Sequence, residues 1–179
     1  MGFFSKKSIH QTYKMYGWSS SKDAGSGNDK MYGYSAYKNK LWGGSGNDFV
    51  AGWGTYNELH GGSGNDTVKA YGAKNTLWGD SGHDTIYGYG GTNTIHGGSG
   101  NDTVYGKGIT NKIWGSSGYD TLKGYGAYNY LSGGDQNDRL YAYGAKNDLY
   151  GGAHDDTLYG HGAWNKLDGG SGHDTVKGY

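Results

Sequence analysis

A hexapeptide of the form Gly-Gly-x-Gly-x-Asp returns every 18 residues along this chain. It occupies Gly43–Asp48, Gly61–Asp66, Gly79–Asp84, Gly97–Asp102, Gly115–Asp120, Gly133–Asp138, Gly151–Asp156 and Gly169–Asp174. An earlier copy, Ala24–Asp29, sits one residue out of phase, with the extra residue within Ser35–Asn39. A fixed short period marks an array of stacked units, each too small to bury its apolar face alone. Before the first copy, Lys14–Ser19 echoes Lys30–Ser35, which predicts an N-terminal cap with a degenerate first coil over residues 1–22 and repeats over 23–179.

Each period divides into two halves of nine, such as Gly61–Lys69 and Ala70–Trp78, and both place an aliphatic residue at their eighth position. One column reads Val50, Val68, Ile86, Val104, Leu122, Leu140, Leu158, Val176; the other reads Leu41, Leu59, Leu77, Ile95, Ile113, Leu131, Leu149, Leu167. Short Gly-bounded segments with alternating apolar positions are strands rather than helices. The predicted fold class is all-β: a parallel β-solenoid of about nine coils with two short strands per coil, a rod on the order of 40 Å long at the parallel-strand spacing. Small residues beside the aliphatic columns, such as Ala70, Gly88 and Gly106, fit a thin interior.

Composition narrows the alternatives. Apolar residues make up 33% and Gly numbers 39, a disorder-like balance, yet Tyr, Trp and Phe reach 16%. With no Pro, collagen is excluded, and with no Cys, so is a disulfide framework. No apolar run approaches a membrane span, and Met1–Ser21 lacks the apolar stretch of a secretory leader. Lys plus Arg and Asp plus Glu both number 16, so net charge draws the chain toward neither nucleic acid nor anionic lipid.

Two aliphatic residues per coil make a poor core, and the aspartates supply the candidate reinforcement. Asp29, Asp48, Asp66, Asp84, Asp102, Asp120, Asp138, Asp156 and Asp174 form one column. Stacked at strand spacing, these carboxylates repel unless something compensates them. Glycine at the first, second and fourth loop positions allows backbone conformations that aim carbonyl oxygens inward. Carboxylate and carbonyl oxygens together suit a hard cation, above all Ca²⁺. The alternative is an ion-free turn in which each Asp binds its own backbone amides.

The nonapeptide Gly-Gly-x-Gly-x-Asp-x-aliphatic-x, as in Gly61–Lys69 and Gly97–Tyr105, resembles the repeat of RTX (hemolysin-type) proteins from about residue 24 to 179. The resemblance implies a right-handed parallel β-roll with Ca²⁺ between successive loops on one side, shared by Asp carboxylates and loop carbonyls. Three departures matter. The alternate nonapeptide carries Asn39, Asn57, Asn75, Asn93, Asn111, Asn129, Asn147 and Asn165 where the family has Asp, so the metal is expected on one edge and a neutral amide ladder on the other. Gln136 and His154 replace the fourth-position Gly and should weaken the sites at Asp138 and Asp156. The chain stops at Lys177-Gly178-Tyr179, without the C-terminal signal that RTX exporters read, which leaves the secretion route open.

The outward columns hold Thr (Thr67, Thr85, Thr103, Thr121, Thr157, Thr175, interrupted by Phe49 and Arg139) and abundant aromatics, including Trp42, Trp78, Trp114, Tyr71, Tyr89 and Tyr125. Stacked rings stabilise a sheet by themselves. Beyond that they point to a surface ligand: protein, glycan or ice. An antifreeze reading draws on the Thr column and the loop pairs Ser45/Asn47, Ser63/Asn65 and Ser99/Asn101, and is compromised by His83, Tyr119, Asp155 and His173 in the same loops. Seven scattered His and no convergent nucleophile set argue against an enzyme. The expected function is therefore a non-enzymatic, calcium-binding, extracellular structural or adhesive module. Ice binding and carbohydrate binding are the alternatives. Because nothing follows Val176 to cover its strand, the natural protein is expected to continue past Tyr179 or to pair two-fold through its last coil.

Overall fold

The computed structural model describes residues 10–179 and contains strands and turns only within them. All fourteen strands belong to one continuous sheet wound into a solenoid, and every pairing is parallel. The register is 18 residues throughout the body of the rod: Val68 pairs with Ile86, and Leu77 with Ile95. The family of coils is thus the predicted β-roll of about nine turns.

The phase slip near the N-terminus resolves into a bulge. Gly33 pairs with Gly52, 19 residues on, while Lys38 pairs with Tyr56, 18 residues on. The extra residue is absorbed around Ala36 and Tyr37, both exposed. Thr12–Asp23 adds a further parallel strand on Lys30–Ser45. Tyr13 and Met15 pack against the first core residues, whereas Trp18 is 72% exposed and stacks on Tyr37 instead. Phe3 and Phe4 of the predicted cap lie outside the described residues.

The expected two strands per coil hold where Phe49–Trp53 is followed by Tyr56–Ser63. In the middle coils, Thr67–Ser81, Thr85–Ser99 and Thr103–Ser117 run unbroken around the turn, because Gly72, Gly90 and Gly108 pair with one another there. Both aliphatic columns are fully buried from Met31 and Leu41 through Leu149 and Leu158. In the last coil Leu167 is half-buried and Val176 is 42% exposed. The small residues beside the core do more than narrow it. A Cβ on Gly88 would stand 2.8 Å from Asn93 Oδ1 and 3.0 Å from Ile95 Cδ1, so glycine there makes room for the buried amide.

Outside, the rings lie face to face along the rod. Tyr16, Tyr34, Trp53, Tyr71 and Tyr89 stack at 4.9–5.3 Å between centroids with interplanar angles of 7–15°. On the opposite sheet Trp42, His60, Trp78, His96 and Trp114 alternate in a second stack. Each inner ring spends both faces on its neighbours and shows its edge to solvent. A sugar ring stacking on an aromatic needs an open face, so these columns serve the sheet before they serve a ligand.

Candidate metal centre

The Asp-bearing loops that keep the full pattern, such as Gly61–Asp66 and Gly97–Asp102, are shaped by three glycines with different duties. The second and fourth positions need left-handed backbone: φ is 116° at Gly62 and 120° at Gly64, 118° at Gly98 and 111° at Gly100. The first glycine does not share this conformation. It is glycine for space, since a Cβ on Gly61 would stand 2.5 Å from Asp66 Oδ2 and 2.8 Å from Gly79 O, and one on Gly97 would stand equally close to Asp102 Oδ2 and Gly115 O. That point, which no side-chain carbon can enter, is where a carboxylate oxygen of one coil and a carbonyl oxygen of the next converge.

The two oxygens of each carboxylate have separate fates. Oδ1 accepts the backbone N–H of the Asp one coil earlier: Asp66 N–H donates to Asp84 Oδ1 at 2.7 Å, Asp84 to Asp102 at 2.8 Å, Asp102 to Asp120 at 2.7 Å. The series runs without a break from Asp29 to Asp174. The bond therefore joins coils, and the expected alternative of an Asp closing on its own amides is not what forms. Oδ2 of Asp29, Asp48, Asp66, Asp84, Asp102, Asp120, Asp138 and Asp156 is buried with no hydrogen-bond partner. Asp174 belongs to the same column but is only half-buried.

Eight orphaned carboxylate oxygens in one line are energetically untenable as bare charges, since a buried polar atom without a partner costs about 1–3 kcal/mol and more if charged. The titration behaviour of the metal-free chain says the same. Loss of solvation pushes Asp66 and Asp102 up from 3.8 to about 7, Asp84 and Asp120 to about 6, and Asp138 to about 8. Neighbouring carboxylates add to the rise at Asp66, Asp102 and Asp138, and the accepted backbone bonds only partly offset it. Asp48 and Asp156 are raised for the same leading reason.

The opposite edge carries the same periodicity with amides and has no such deficit. Asn57 Nδ2 donates to Asn75 Oδ1 at 2.8 Å, Asn75 to Asn93 at 2.8 Å and Asn93 to Asn111 at 2.9 Å. Asn75 Nδ2 also reaches Tyr89 O at 3.0 Å. An amide is donor and acceptor at once, so a column of Asn satisfies itself; a carboxylate has no donor, so a column of Asp cannot. Among the described residues no three His, Cys, Asp or Glu side chains converge, as expected if the donors of each site are carboxylate and main-chain oxygens. The residues present thus fit Ca²⁺ on the Asp edge alone.

A second ladder in the same loops escaped the sequence reading. At the fifth position Asn47 Oδ1 accepts Asn65 N–H at 2.8 Å, Asn65 Oδ1 accepts His83 N–H at 2.8 Å, and His83 Nδ1 accepts Asn101 N–H at 2.7 Å. The recurrence of Asn at that position was the available signal. The loop substitutions carry strain: Asp80, Ser116, Gln136 and His154 hold φ of 74°, 89°, 74° and 78°. Left-handed backbone costs a residue with a Cβ about 1–2 kcal/mol. We therefore expect Gln136→Gly and His154→Gly each to raise the thermal midpoint, by about 1 kcal/mol of stability, as measured by circular dichroism in calcium. An unchanged midpoint would show that these loops relax at no cost.

The RTX calcium-binding nonapeptide repeat model matches residues 23–57, 34–68, 57–86, 70–104, 105–140, 129–153 and 141–176. No curated protein matches. Among solved structures, the chain is similar to the X-ray crystal structure of a hyperactive, Ca²⁺-dependent, β-helical antifreeze protein from an Antarctic bacterium, with a TM-score of 0.71 and 24% identity. The match covers 94% of this chain and 60% of that one. At that identity the likeness speaks to the fold.

Proposed function

The chain belongs to the RTX calcium-binding nonapeptide repeat family, and from that membership we propose that it is an extracellular, calcium-clamped rod whose long faces bind or scaffold without catalysing a reaction. The observation that carries the metal half of this reading is the line of eight buried Oδ2 atoms, seven of which, from Asp48 to Asp156, converge with a main-chain carbonyl of the next coil. When bound, the cation neutralises the carboxylates and ties each coil to its successor. Asp29, Asp48, Asp66, Asp84, Asp102, Asp120, Asp138, Asp156 and Asp174 would hold it, with carbonyls such as Gly79 O and Gly115 O. Sites built from carboxylate and carbonyl oxygens in extracellular modules typically need about 10⁻⁴–10⁻³ M Ca²⁺, which suits a protein outside the cell. Among the described residues no helix is long and apolar enough to cross a membrane. The groove beside Thr110, Tyr128 and Lys146 is open to solvent along the rod.

One observation favours ice binding as a second reading. The Asp-loop edge exposes Ser45, Ser63, Ser81 and Ser99 with Asn47, Asn65 and Asn101 at coil spacing, held in register by the fifth-position ladder, and the structurally similar protein is an antifreeze. Against it, His83, Tyr119, Asp155 and His173 interrupt that edge, and Lys and Tyr border the Thr column. Ice growth in a supercooled droplet, observed with calcium and with chelator, separates the readings. Unfaceted growth in both conditions is the expected result. Calcium-dependent faceting would select ice binding over the scaffold reading.

A further inference from the structure

The chain carries equal numbers of acidic and basic side chains, but the fold does not mix them. On the sheet that contains Val68, three outward columns run in register from Thr12 to Thr175, from Lys14 to Lys177 and from Tyr16 to Tyr179. None of their members is Asp or Glu. They include Lys14, Lys30, Lys69, Lys107, Lys123, Arg139 and Lys177. The acids outside the Asp column lie on the loops, as Asp80 and Asp135 do, or on the other sheet, as Glu58 and Asp148 do.

Among the described residues every ion pair lies away from this face: Lys38 and Lys40 with Glu58, His60 with Asp80, and Lys146 with Asp148. Three of the face's lysines, Lys69, Lys123 and Lys177, rest against rings instead. Lys69 Nζ stands 5.0 Å from the Tyr87 ring centre, and Lys123 Nζ stands 5.2 Å from that of Tyr105 and 5.7 Å from that of Tyr141. A ring holds a cation in place without cancelling its charge. The result is a flat strip of uncompensated positive charge, spaced one to two coils apart, roughly 5–10 Å. Phenol and threonine hydroxyls fill the intervals.

We infer that this face binds a linear acidic polysaccharide lying along the rod. Charge complementarity gives the sign of the partner, and the straight, periodic array gives its shape. The ring stacking chooses the class. Single-stranded nucleic acid is held by bases stacking on exposed aromatic faces, and here Tyr71 and Tyr89 turn those faces to each other. A sugar chain needs hydroxyl partners and countercharge, which ring edges and ammonium groups supply. Calcium strengthens the attraction, since each bound ion adds two positive charges to a chain of formal net charge +0. The inference rests on the calcium-clamped binding-module reading.

The probe is a fluorescent hyaluronate oligosaccharide, a linear chain bearing uronate groups, titrated with the calcium-loaded full chain at low and high salt. Neutral dextran and single-stranded DNA of equal length serve as comparators. Binding to hyaluronate that falls with salt, absent for dextran and weaker for DNA, is expected. The triple variant Lys107→Gln, Lys123→Gln and Arg139→Gln should bind about tenfold more weakly, as three exposed charge contacts together would give. A second triple variant, Lys40→Gln, Lys112→Gln and Lys146→Gln on the other sheet, changes net charge equally and should bind as the parent does. No binding by the parent, binding insensitive to salt, equal loss in both variants, or DNA bound as tightly as hyaluronate would each overturn the assignment. Calcium-dependent melting of the same samples reports separately on the metal reading. A rod that melts calcium-dependently yet ignores hyaluronate overturns the face assignment and leaves the metal reading standing.

Discussion

Chelating calcium at neutral pH is expected to unfold or extensively loosen the rod, and acidifying the chelated sample is expected to restore part of it. Ligand binding to the folded state alone stabilises by RT ln(1 + [L]/Kd), about 1.4 kcal/mol per site at ten times Kd and about 2.7 at a hundred times. Nine Asp loops leave eight intervals between coils, so the sum reaches about 11 kcal/mol at ten times Kd and about 22 at a hundred times, as large as or larger than the 5–15 kcal/mol that typically separates folded from unfolded domains. The pH arm follows from the raised carboxyls. Asp66, Asp84, Asp102, Asp120 and Asp138 hold their protons up to about 7, 6, 7, 6 and 8 in the metal-free fold, against 3.8 when unperturbed. The folded chain therefore binds more protons than the unfolded one across that interval. Its stability is fullest below pH 3.8 as far as these groups go, and is lost as pH rises through 6 to 8. With calcium bound the dependence reverses, because protons compete with the ion for the same oxygens. Thermal midpoints by circular dichroism at acidic and neutral pH, in calcium and in EDTA, give the four values required. A midpoint indifferent to EDTA at neutral pH would overturn the metal assignment, and a chelated midpoint that rises with pH would overturn the account of the orphaned oxygens.

Asp102→Asn should change the sign of its effect with calcium. In chelator the substitution replaces a buried unpartnered carboxylate by a neutral amide that can still accept the Asp84 N–H, and a gain of about 1–3 kcal/mol is expected, the usual cost of an unsatisfied buried group. In calcium the same change weakens the ligand sets on either side of one coil, and a loss of about 3–5 kcal/mol is expected, the scale for breaking a buried charge pair. Asn93→Ala on the opposite edge breaks the amide ladder to Asn75 and Asn111 and should destabilise by similar amounts with and without calcium. Denaturant unfolding of the three proteins in both conditions measures this directly. Equal calcium sensitivity of the Asp102 and Asn93 variants would place metal on both edges.

Much of this molecule is readable from its letters because it is almost one-dimensional. The period of 18, the two aliphatic columns and the Asp and Asn columns each map to a line of stacked residues, since every coil meets only its neighbours. The slip at Ser35–Asn39 was visible as a phase error and proved to be a bulge at Ala36 and Tyr37. Where the reading fell short, the cause was geometry within the repeat. It treated the loop glycines as alike, whereas Gly62 and Gly64 are required by φ and Gly61 by the approach of Asp66 Oδ2 and Gly79 O. It took Asp closing on its own amides as the alternative to metal, whereas one oxygen binds the preceding coil and the other is left bare.

Fold class, coil number, core columns and the stacked Asp column were set by periodicity, because a side chain repeated at the coil spacing has its partners above and below already named. Three properties belonged to the tertiary structure alone. Burial of Oδ2 depends on how tightly successive loops close. Whether Tyr71 offers a ring face or a ring edge depends on its rotamer and on Trp53 and Tyr89 beside it. The placement of Lys69, Lys107, Lys123 and Arg139 in outward columns that hold no Asp or Glu cannot appear in a net charge of +0, because composition sums over the whole surface and only the winding of the chain decides which side each charge is on.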